Sequence, residues 1–144
     1  MSALSPTLLA SIVTILAIIV YMIMGGRVGS MRGKHSISAP AVTGHPEFER
    51  AYRVQMNTLE SMPVFLPGLW LASTFFSGSV PSVWWLPAVL GAFWIIGRVM
   101  YMQAYMADPS KRGTGFGISA IAQIGLLLLA VAGIVMSWHA PTTV

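Results

Sequence analysis

Residues 3–26, which read ALSPTLLASIVTILAIIVYMIMGG, contain no charged side chain. A helix over this stretch, at 1.5 Å per residue, is long enough to cross a hydrocarbon core of about 30 Å. Positive charges follow the stretch rather than precede it, and it lacks an obvious cleavage site, so we expect a retained helix and not a signal peptide. The whole chain is rich in apolar residues and poor in charges, since 56% of its residues are hydrophobic and 8% are charged. The sequence therefore predicts an integral membrane protein.

Three further apolar segments bring the predicted spans to four. They run from about Pro46 to Phe76, from Val83 to Met106 and from Gly115 to Trp138. The second is longer than the hydrocarbon requires, so its polar first turns should extend beyond the apolar core. Small residues along the fourth span allow close helix approach. We therefore predict an all-α fold, an integral membrane four-helix bundle that forms a single domain over residues 1–144.

The loop lysines and arginines predict the orientation in the membrane. Arg27, Arg32 and Lys34 follow the first span, and Lys111 and Arg112 lie between the third and fourth. The positive-inside rule places these two connections in the cytoplasm and both termini outside it. Because this orientation explains the basic residues, the net charge of +4 gives no reason to expect nucleic-acid binding.

Two short stretches attached to the apolar runs carry most of the ionised side chains. They are FERAYRVQMNTLE, residues 48–60, and GRVMYMQAYMADPSKR, residues 97–112. An unpaired charge in hydrocarbon costs about 3 kcal/mol or more. We therefore expect Arg53, Glu60 and Arg98 to face protein or a water-filled cavity, which makes them functional candidates.

One face of the predicted second helix collects polar side chains at helical spacing: Arg50, Arg53, Asn57 and Glu60. Gln55 points away from this stripe at 100° per residue. On the third helix, Arg98, Tyr101 and Tyr105 have the i, i+3, i+7 spacing of one face. If the two faces meet, they form a pocket of guanidinium, carboxylate, amide and phenol groups. Such a pocket suits a small zwitterionic ligand with several carboxylates.

A structural interpretation of the same residues stays open at this point. Arginine and glutamate on membrane helices also pair to hold helices or subunits together, and tyrosines near helix ends anchor a protein at the interface. The basic groups of the two stretches and the adjoining loop outnumber the acids. This excess favours an anionic ligand or headgroup.

The sequence offers little for metal or thiol chemistry of its own. There is no cysteine, so a thiol would have to come from a ligand. His35, His45 and His139 are expected to be too dispersed for a convincing metal site and to be solvated in loops or near the terminus, and no metal is expected. Gln123, which is polar within the fourth span, is expected to hydrogen-bond to a neighbouring helix.

The polar stretches closely resemble the MAPEG family, the membrane-associated proteins in eicosanoid and glutathione metabolism. The resemblance lies in TGHPEFERAYRVQMNTLE, residues 43–60, and GRVMYMQAY, residues 97–105. Its most specific part is the pattern E-R-x-x-R-x-Q-x-N-x-x-E, which begins at Glu49. The four-span plan and the loop lengths extend the resemblance over nearly the whole chain.

The resemblance implies a homotrimer of four-helix subunits that binds glutathione between neighbouring subunits near the cytoplasmic face. By motif position, it implies these glutathione-binding residues: Arg32, Arg53, Gln55, Asn57, Glu60, Tyr101 and Tyr105. It also implies that Arg112, seven residues after Tyr105, activates the thiol.

The function implied is a membrane-bound glutathione transferase. The thiolate would attack a hydrophobic electrophile that arrives from the membrane lipids, or it would act as a peroxidase and reduce a lipid hydroperoxide. The alternative of the same fold is a non-catalytic, lipid-binding membrane scaffold. A small transporter is less favoured, because no charged residue lies centrally in the first or fourth span.

Overall fold

A computed structural model describes residues 4–139 of the chain. Four long helices make up its architecture: the first helix, Pro6–Lys34; the second, Pro46–Leu71; the third, Leu86–Ala107; and the fourth, Gly113–Trp138. A π-helical turn, Ala72–Phe76, and a single α-turn, Ser77–Ser79, extend the second helix. Short 3₁₀ turns, Pro81–Val83 and Pro109–Arg112, precede the third and fourth helices. The predicted all-α, four-helix membrane fold is confirmed.

Capping residues set several of the helix boundaries. The Ser5 hydroxyl accepts a hydrogen bond from a first-turn amide at 3.1 Å, and His45 does the same for the second helix at 3.3 Å. A proline follows each cap, where its missing N–H costs nothing. Asp108 ends the third helix in an extended conformation and accepts a hydrogen bond from the Ser110 amide at 3.0 Å. These caps fix where the polar loops leave the bundle.

Within residues 4–139, three helical segments are long and apolar enough to cross a membrane: Pro6–Lys34, Pro81–Ala107 and Pro109–Trp138. The second helix is not among them, because charged and amide side chains fill its first half. Its 26 residues correspond to about 39 Å. That it crosses the membrane as the second of four spans stays a prediction.

The third and fourth helices approach each other at positions occupied by glycine. A Cβ built on Gly97 would lie 2.6 Å from the backbone nitrogen of Ser119 and 2.9 Å from the carbonyl oxygen of Gly115. A Cβ built on Gly115 would collide with the backbone of Tyr101. Only hydrogen side chains permit this backbone-to-backbone contact. The contact therefore sets the position of Tyr101 relative to the fourth helix.

We expect Gly115→Ala to destabilise the bundle by about 1–3 kcal/mol, because the obstructing atoms are backbone and cannot move aside cheaply. Gly117→Ala is the matched control, since a Cβ there would meet nothing within 4 Å. Its effect should be neutral or slightly stabilising through helix propensity. Denaturant titration in detergent micelles, followed by circular dichroism, measures both. Equal stability of the two variants would contradict the close contact.

Candidate functional site

A pocket of about 670 Å³ lies between the second, third and fourth helices. Its lining includes side chains from all three helices: Arg53, Asn57, Glu60, Ser61, Arg98, Tyr101, Tyr105, Arg112, Phe116, Ala120 and Gln123. Three arginines and one glutamate give this lining a formal charge of +2. The pocket therefore offers its strongest attraction to an anion or to a zwitterion with excess negative charge.

The two polar faces identified in the sequence meet in this pocket. It brings together six of the predicted site residues: Arg53, Asn57, Glu60, Tyr101, Tyr105 and Arg112. Arg98, which helical spacing placed on the same face as the tyrosines, also lines it. The geometry agrees with the predicted juxtaposition, while the role of each residue stays a prediction.

Arg32 and Gln55 do not reach the pocket of their own chain. The Arg32 guanidinium carbon lies 4.7 Å from the centre of the Phe48 ring, and its Nη1 atom is buried without a hydrogen-bond partner among residues 4–139. Gln55 Nε2 donates to the Tyr21 hydroxyl of the first helix at 3.5 Å. Gln55 therefore faces the first helix, and Arg32, which belongs to the first helix, packs against the start of the second.

Arg98 is a buried cation at the wall of the pocket. It is 4% exposed, and its guanidinium carbon lies 5.4 Å and 5.6 Å from the ring centres of Trp94 and Tyr101. Its Nη1 donates to the Asn57 carbonyl oxygen at 3.4 Å, whereas its Nε has no partner in the described part of the chain. No carboxylate of residues 4–139 forms an ion pair with it. An anion in the pocket would relieve this uncompensated charge.

Two phenols connect Arg98 to the outer part of the pocket. Asn57 Nδ2 donates to the Tyr101 hydroxyl, which joins the second and third helices. The Tyr101 and Tyr105 rings lie 5.5 Å apart. The guanidinium carbon of Arg112 lies 5.6 Å from the centre of the Tyr105 ring. A cation–π contact thus holds the exposed Arg112 beside the phenols.

Arg50 contributes to the site through the backbone. Its Nη1 donates to the carbonyl oxygens of Met106 and Ala107 at 3.3 Å and 3.5 Å. These are unsatisfied acceptors at the end of the third helix, so the arginine caps that helix. The next turn, Pro109–Arg112, carries the candidate thiol-activating group. The second helix therefore supports the position of Arg112.

Sequence reasoning did not assign Ser61, Phe116 or Ala120 to the site. Phe116 and Ala120 share one face of the fourth helix with Gln123, at spacings of four and three residues. That periodicity is a signal for a shared face, but only the structure shows which helix the face meets. The prediction that Gln123 bonds to a neighbouring helix is confirmed, since its Oε1 accepts from Ser61 Oγ at 2.7 Å and from Trp94 Nε1 at 3.2 Å.

The expectation that the histidines are dispersed is wrong for two of them. His35 and His45 stack with ring centres 3.5 Å apart, and the potential ligand atoms of His35, His45 and Glu47 lie within 4.8 Å of one another. His139 lies beyond the end of the fourth helix, outside this group. The two rings are inclined by only 12°. Because an imidazole binds a metal in its own plane, nearly parallel stacked rings do not aim at one common ion. The group suits a loop junction better than a metal centre.

Glu47 is the centre of that junction. Its Oε2 atom lies 2.6 Å from Lys34 Nζ and 3.0 Å from His35 Nε2, so it links the ends of the first and second helices. Two hydrogen bonds lower the pKa of the Glu47 carboxyl from 4.5 to about 2. The bond from Lys34 has the larger effect, and the bond from His35 has the next largest. A lowered carboxyl pKa means that the junction is stabilised above pH 4.5. This contribution is lost as the pH falls towards about 2.

We expect the Glu47 carboxyl to titrate near pH 2 in the folded protein, and Lys34→Ala to move that midpoint upward towards 4.5. Carbon-detected NMR of the protein in micelles measures the midpoint. Lys111→Ala is a control, because Lys111 pairs with Asp108 and not with Glu47. A wild-type midpoint at the ordinary value would contradict the ion pair.

Comparison with known proteins agrees with this architecture. A model of the MAPEG family matches residues 10–132. Human microsomal glutathione S-transferase 2 is 38% identical over 112 residues, which cover 78% of this chain and 72% of that protein. Leukotriene C4 synthase of Bos taurus is 36% identical over 127 residues, 88% of this chain and 80% of that protein. An uncharacterised Synechocystis protein is 36% identical over 124 residues, 86% of each chain. The chain belongs to the MAPEG family, as its polar stretches predicted.

Proposed function

We propose that this protein is a membrane-bound glutathione transferase. The observation that carries the proposal is the pocket itself, where three guanidinium groups, one carboxylate and two phenols converge, and where the buried Arg98 has no carboxylate partner among the residues that the structure describes. Two similar proteins, the human transferase and the bovine leukotriene C4 synthase, have names that point to the same kind of chemistry. A pocket with this excess of cations also favours a charged ligand over the lipid expected of a non-catalytic scaffold.

The charges of glutathione are complementary to those of the pocket lining, which has three arginines and one glutamate. It carries two carboxylates, one ammonium group and one thiol. Arg53 and Arg98 supply planar donor groups that can bind carboxylates through paired hydrogen bonds. Glu60 supplies the one carboxylate of the lining, which is the natural partner of the ammonium group. Asn57 and Tyr101 complete the polar wall between them.

Arg112 is the proposed activator of the thiol. A free thiol has a pKa near 8.5, so only a few per cent is ionised at pH 7. Lowering that pKa by about two units requires about 2.7 kcal/mol of preferential stabilisation of the thiolate. A guanidinium group remains charged at all relevant pH values and donates hydrogen bonds to sulfur, and Tyr105 holds this one at the pocket.

The reaction follows from the thiolate. The thiol proton passes to solvent, and the sulfur attacks the electrophilic carbon to form a carbon–sulfur bond, while the leaving group or the electrophile's π system takes the displaced electron pair. With a lipid hydroperoxide, the sulfur would instead attack the peroxide oxygen, release an alcohol and form a sulfenic acid. A second glutathione would then reduce the sulfenic acid with loss of water. Phe116 and Ala120 give the pocket an apolar side for the lipid-soluble partner.

The protein has a defined orientation in the membrane and associates with further copies of itself in this proposal. Both termini lie outside the cytoplasm, and the end of the pocket at Arg112 lies near the cytoplasmic face, where glutathione is available. Arg32 and Gln55 face away from the pocket of their own chain, so they can contribute to glutathione binding only at a neighbouring subunit's pocket. The large outward apolar side chains of the first and fourth helices provide surfaces for lipid or for other subunits. We therefore propose a homotrimer in membrane lipids.

Glutathione titrated into the purified protein should give a saturable ultraviolet signal of bound thiolate. Arg112→Ala should abolish that signal and lower turnover at pH 7 by about tenfold or more, since the thiol pKa would return towards its free value. Competition by S-methylglutathione, which has no ionisable thiol, should show nearly unchanged affinity. Lys111→Ala is the matched control, because it removes a neighbouring exposed cation and should leave the signal intact.

Variants of the residues that contact the charged groups of glutathione distinguish glutathione binding from thiol activation. Arg53→Ala and Glu60→Gln should weaken S-methylglutathione binding, because each removes a charge-assisted contact. Near-normal turnover of Arg112→Ala would remove that residue from the activating role. Absence of any thiolate signal in the wild-type protein, together with tight binding of a lipid analogue, would favour the scaffold.

The proposed contribution of Arg32 to a neighbouring pocket can be tested by mixing subunits. Arg32→Ala and Arg112→Ala proteins should each have low activity. When they are co-assembled, about a quarter of the sites should combine an intact Arg112 with an intact Arg32 from the next subunit, if mixing in a cyclic trimer is random. Activity should therefore rise above that of either parent. No recovery in demonstrably mixed trimers would place both residues at the same subunit's site.

A further inference from the structure

Gln123 has an amide orientation that chemistry fixes. The indole N–H of Trp94 can only donate a hydrogen bond, and it lies 3.2 Å from the Gln123 side chain, so the atom that faces it must be the amide oxygen. The same oxygen accepts from Ser61 at 2.7 Å. The two N–H donors of Gln123 therefore point away from both partners.

These two donors have no acceptor among residues 4–139. Gln123 nevertheless lies in the segment Pro109–Trp138, which is among the strongly apolar candidate spans. An unpaired amide in such surroundings costs free energy. The residue is only partly buried and lines the pocket, so a ligand in the pocket can accept from it.

A purely structural role of Gln123 explains the contacts of its amide oxygen but not the position of its amide nitrogen. Trp94 Nε1 already donates to Ser61 Oγ at 3.2 Å, so the second and third helices are linked without Gln123. The Gln123 amide oxygen accepts from both Ser61 and Trp94, so it connects the fourth helix to the second and third. The amide nitrogen makes no hydrogen bond within residues 4–139, and it supplies the pocket with a donor whose orientation is fixed by the two hydrogen bonds to the amide oxygen.

The position of this donor defines what it can contact. Gln123 lies eleven positions after Arg112, along the fourth helix and the turn before it, a rise of roughly 16 Å. Side chains that reach into the pocket from both ends shorten this separation. A sulfur atom held by Arg112 would then lie roughly 5–10 Å from an oxygen atom held by Gln123. An oxygen atom at that distance from the sulfur is not part of the reacting centre, because reacting atoms approach to about 3–3.5 Å.

We propose, on the basis of the glutathione transferase function above, that Gln123 determines specificity by donating a hydrogen bond to an oxygen of the electrophile. The preferred co-substrates are apolar electrophiles with a carbonyl or similar acceptor oxygen several bonds away from the reacting carbon. Ser61 and Trp94 act as positioning residues, because they hold the amide in the orientation that presents its N–H groups to the pocket.

Two electrophiles of nearly equal shape test this proposal: 4-acetylbenzyl chloride and 4-isopropylbenzyl chloride. In each reaction a carbon–sulfur bond forms at the benzylic carbon, chloride leaves with the bonding electron pair, and the thiol proton passes to solvent. Only the acetyl compound has an acceptor oxygen on the far side of the ring. Comparing each variant with the wild type for each compound removes their difference in intrinsic reactivity.

Gln123→Leu should lower kcat/KM for the acetyl compound about tenfold and leave that for the isopropyl compound within about twofold. Ser61→Ala is the matched variant, because it breaks the same hydrogen-bond group but keeps the amide donors. It should affect the acetyl compound less than Gln123→Leu does. Equal losses for both compounds in Gln123→Leu would show a structural role and overturn the proposal, as would no loss for either.

A binding measurement separates this proposal from the proposed enzyme activity. The unreactive analogues 4-isopropylacetophenone and 1,4-diisopropylbenzene can be titrated while the tryptophan fluorescence of the full chain in micelles is followed. The wild-type protein should prefer the ketone, and Gln123→Leu should lose that preference. If the wild type turns over neither chloride but keeps this preference, the transferase function fails and the Gln123 site stands. No preference in the wild type overturns the Gln123 site.

Discussion

The backbone contact between the third and fourth helices is the constraint on which the rest of the site depends. Gly97 and Gly115 bring the two helices so close that a single Cβ would meet backbone atoms. In a membrane, helices gain little from burying apolar side chains, so close packing of small residues has to hold them together. This approach fixes the backbone of Tyr101 and, one turn away, that of Arg98. The wall of the pocket is therefore set by residues that carry no chemistry themselves.

The charge distribution explains why such a rigid wall is needed. Arg98 is buried between aromatic rings and has no acidic partner in the described part of the chain, an arrangement that is costly without an anion. A flexible bundle would let the guanidinium reach water. Helices locked by glycine contacts keep it in place, so a ligand that supplies the missing negative charge gains more from binding than it would at an exposed arginine.

Helical periodicity was enough to predict a polar face on the second helix, because Arg53, Asn57 and Glu60 follow one stripe whatever the tertiary structure, but it left open whether this face meets that of the third helix. It was not enough to locate Arg32 and Gln55, whose assignment came from family resemblance and whose side chains lie where the first and second helices meet. The contact with a neighbouring subunit that we propose for both residues leaves no mark in the periodicity of one helix. The stacking of His35 on His45 was missed for a related reason. Loop closure between two helix ends leaves no periodic signal.

The second helix carries polar residues that line the pocket, although a membrane span is more stable when its side chains are apolar. Its polar stripe lowers its hydropathy below that of the other three helices, which weakens it as a span on its own. The same stripe supplies pocket residues, and Arg50 caps the third helix ahead of the turn that carries Arg112. A helix that is less stable in lipid alone is thus retained by its contacts with the others. The site and the bundle therefore depend on each other, because the groups that line the pocket also hold the helix that presents them.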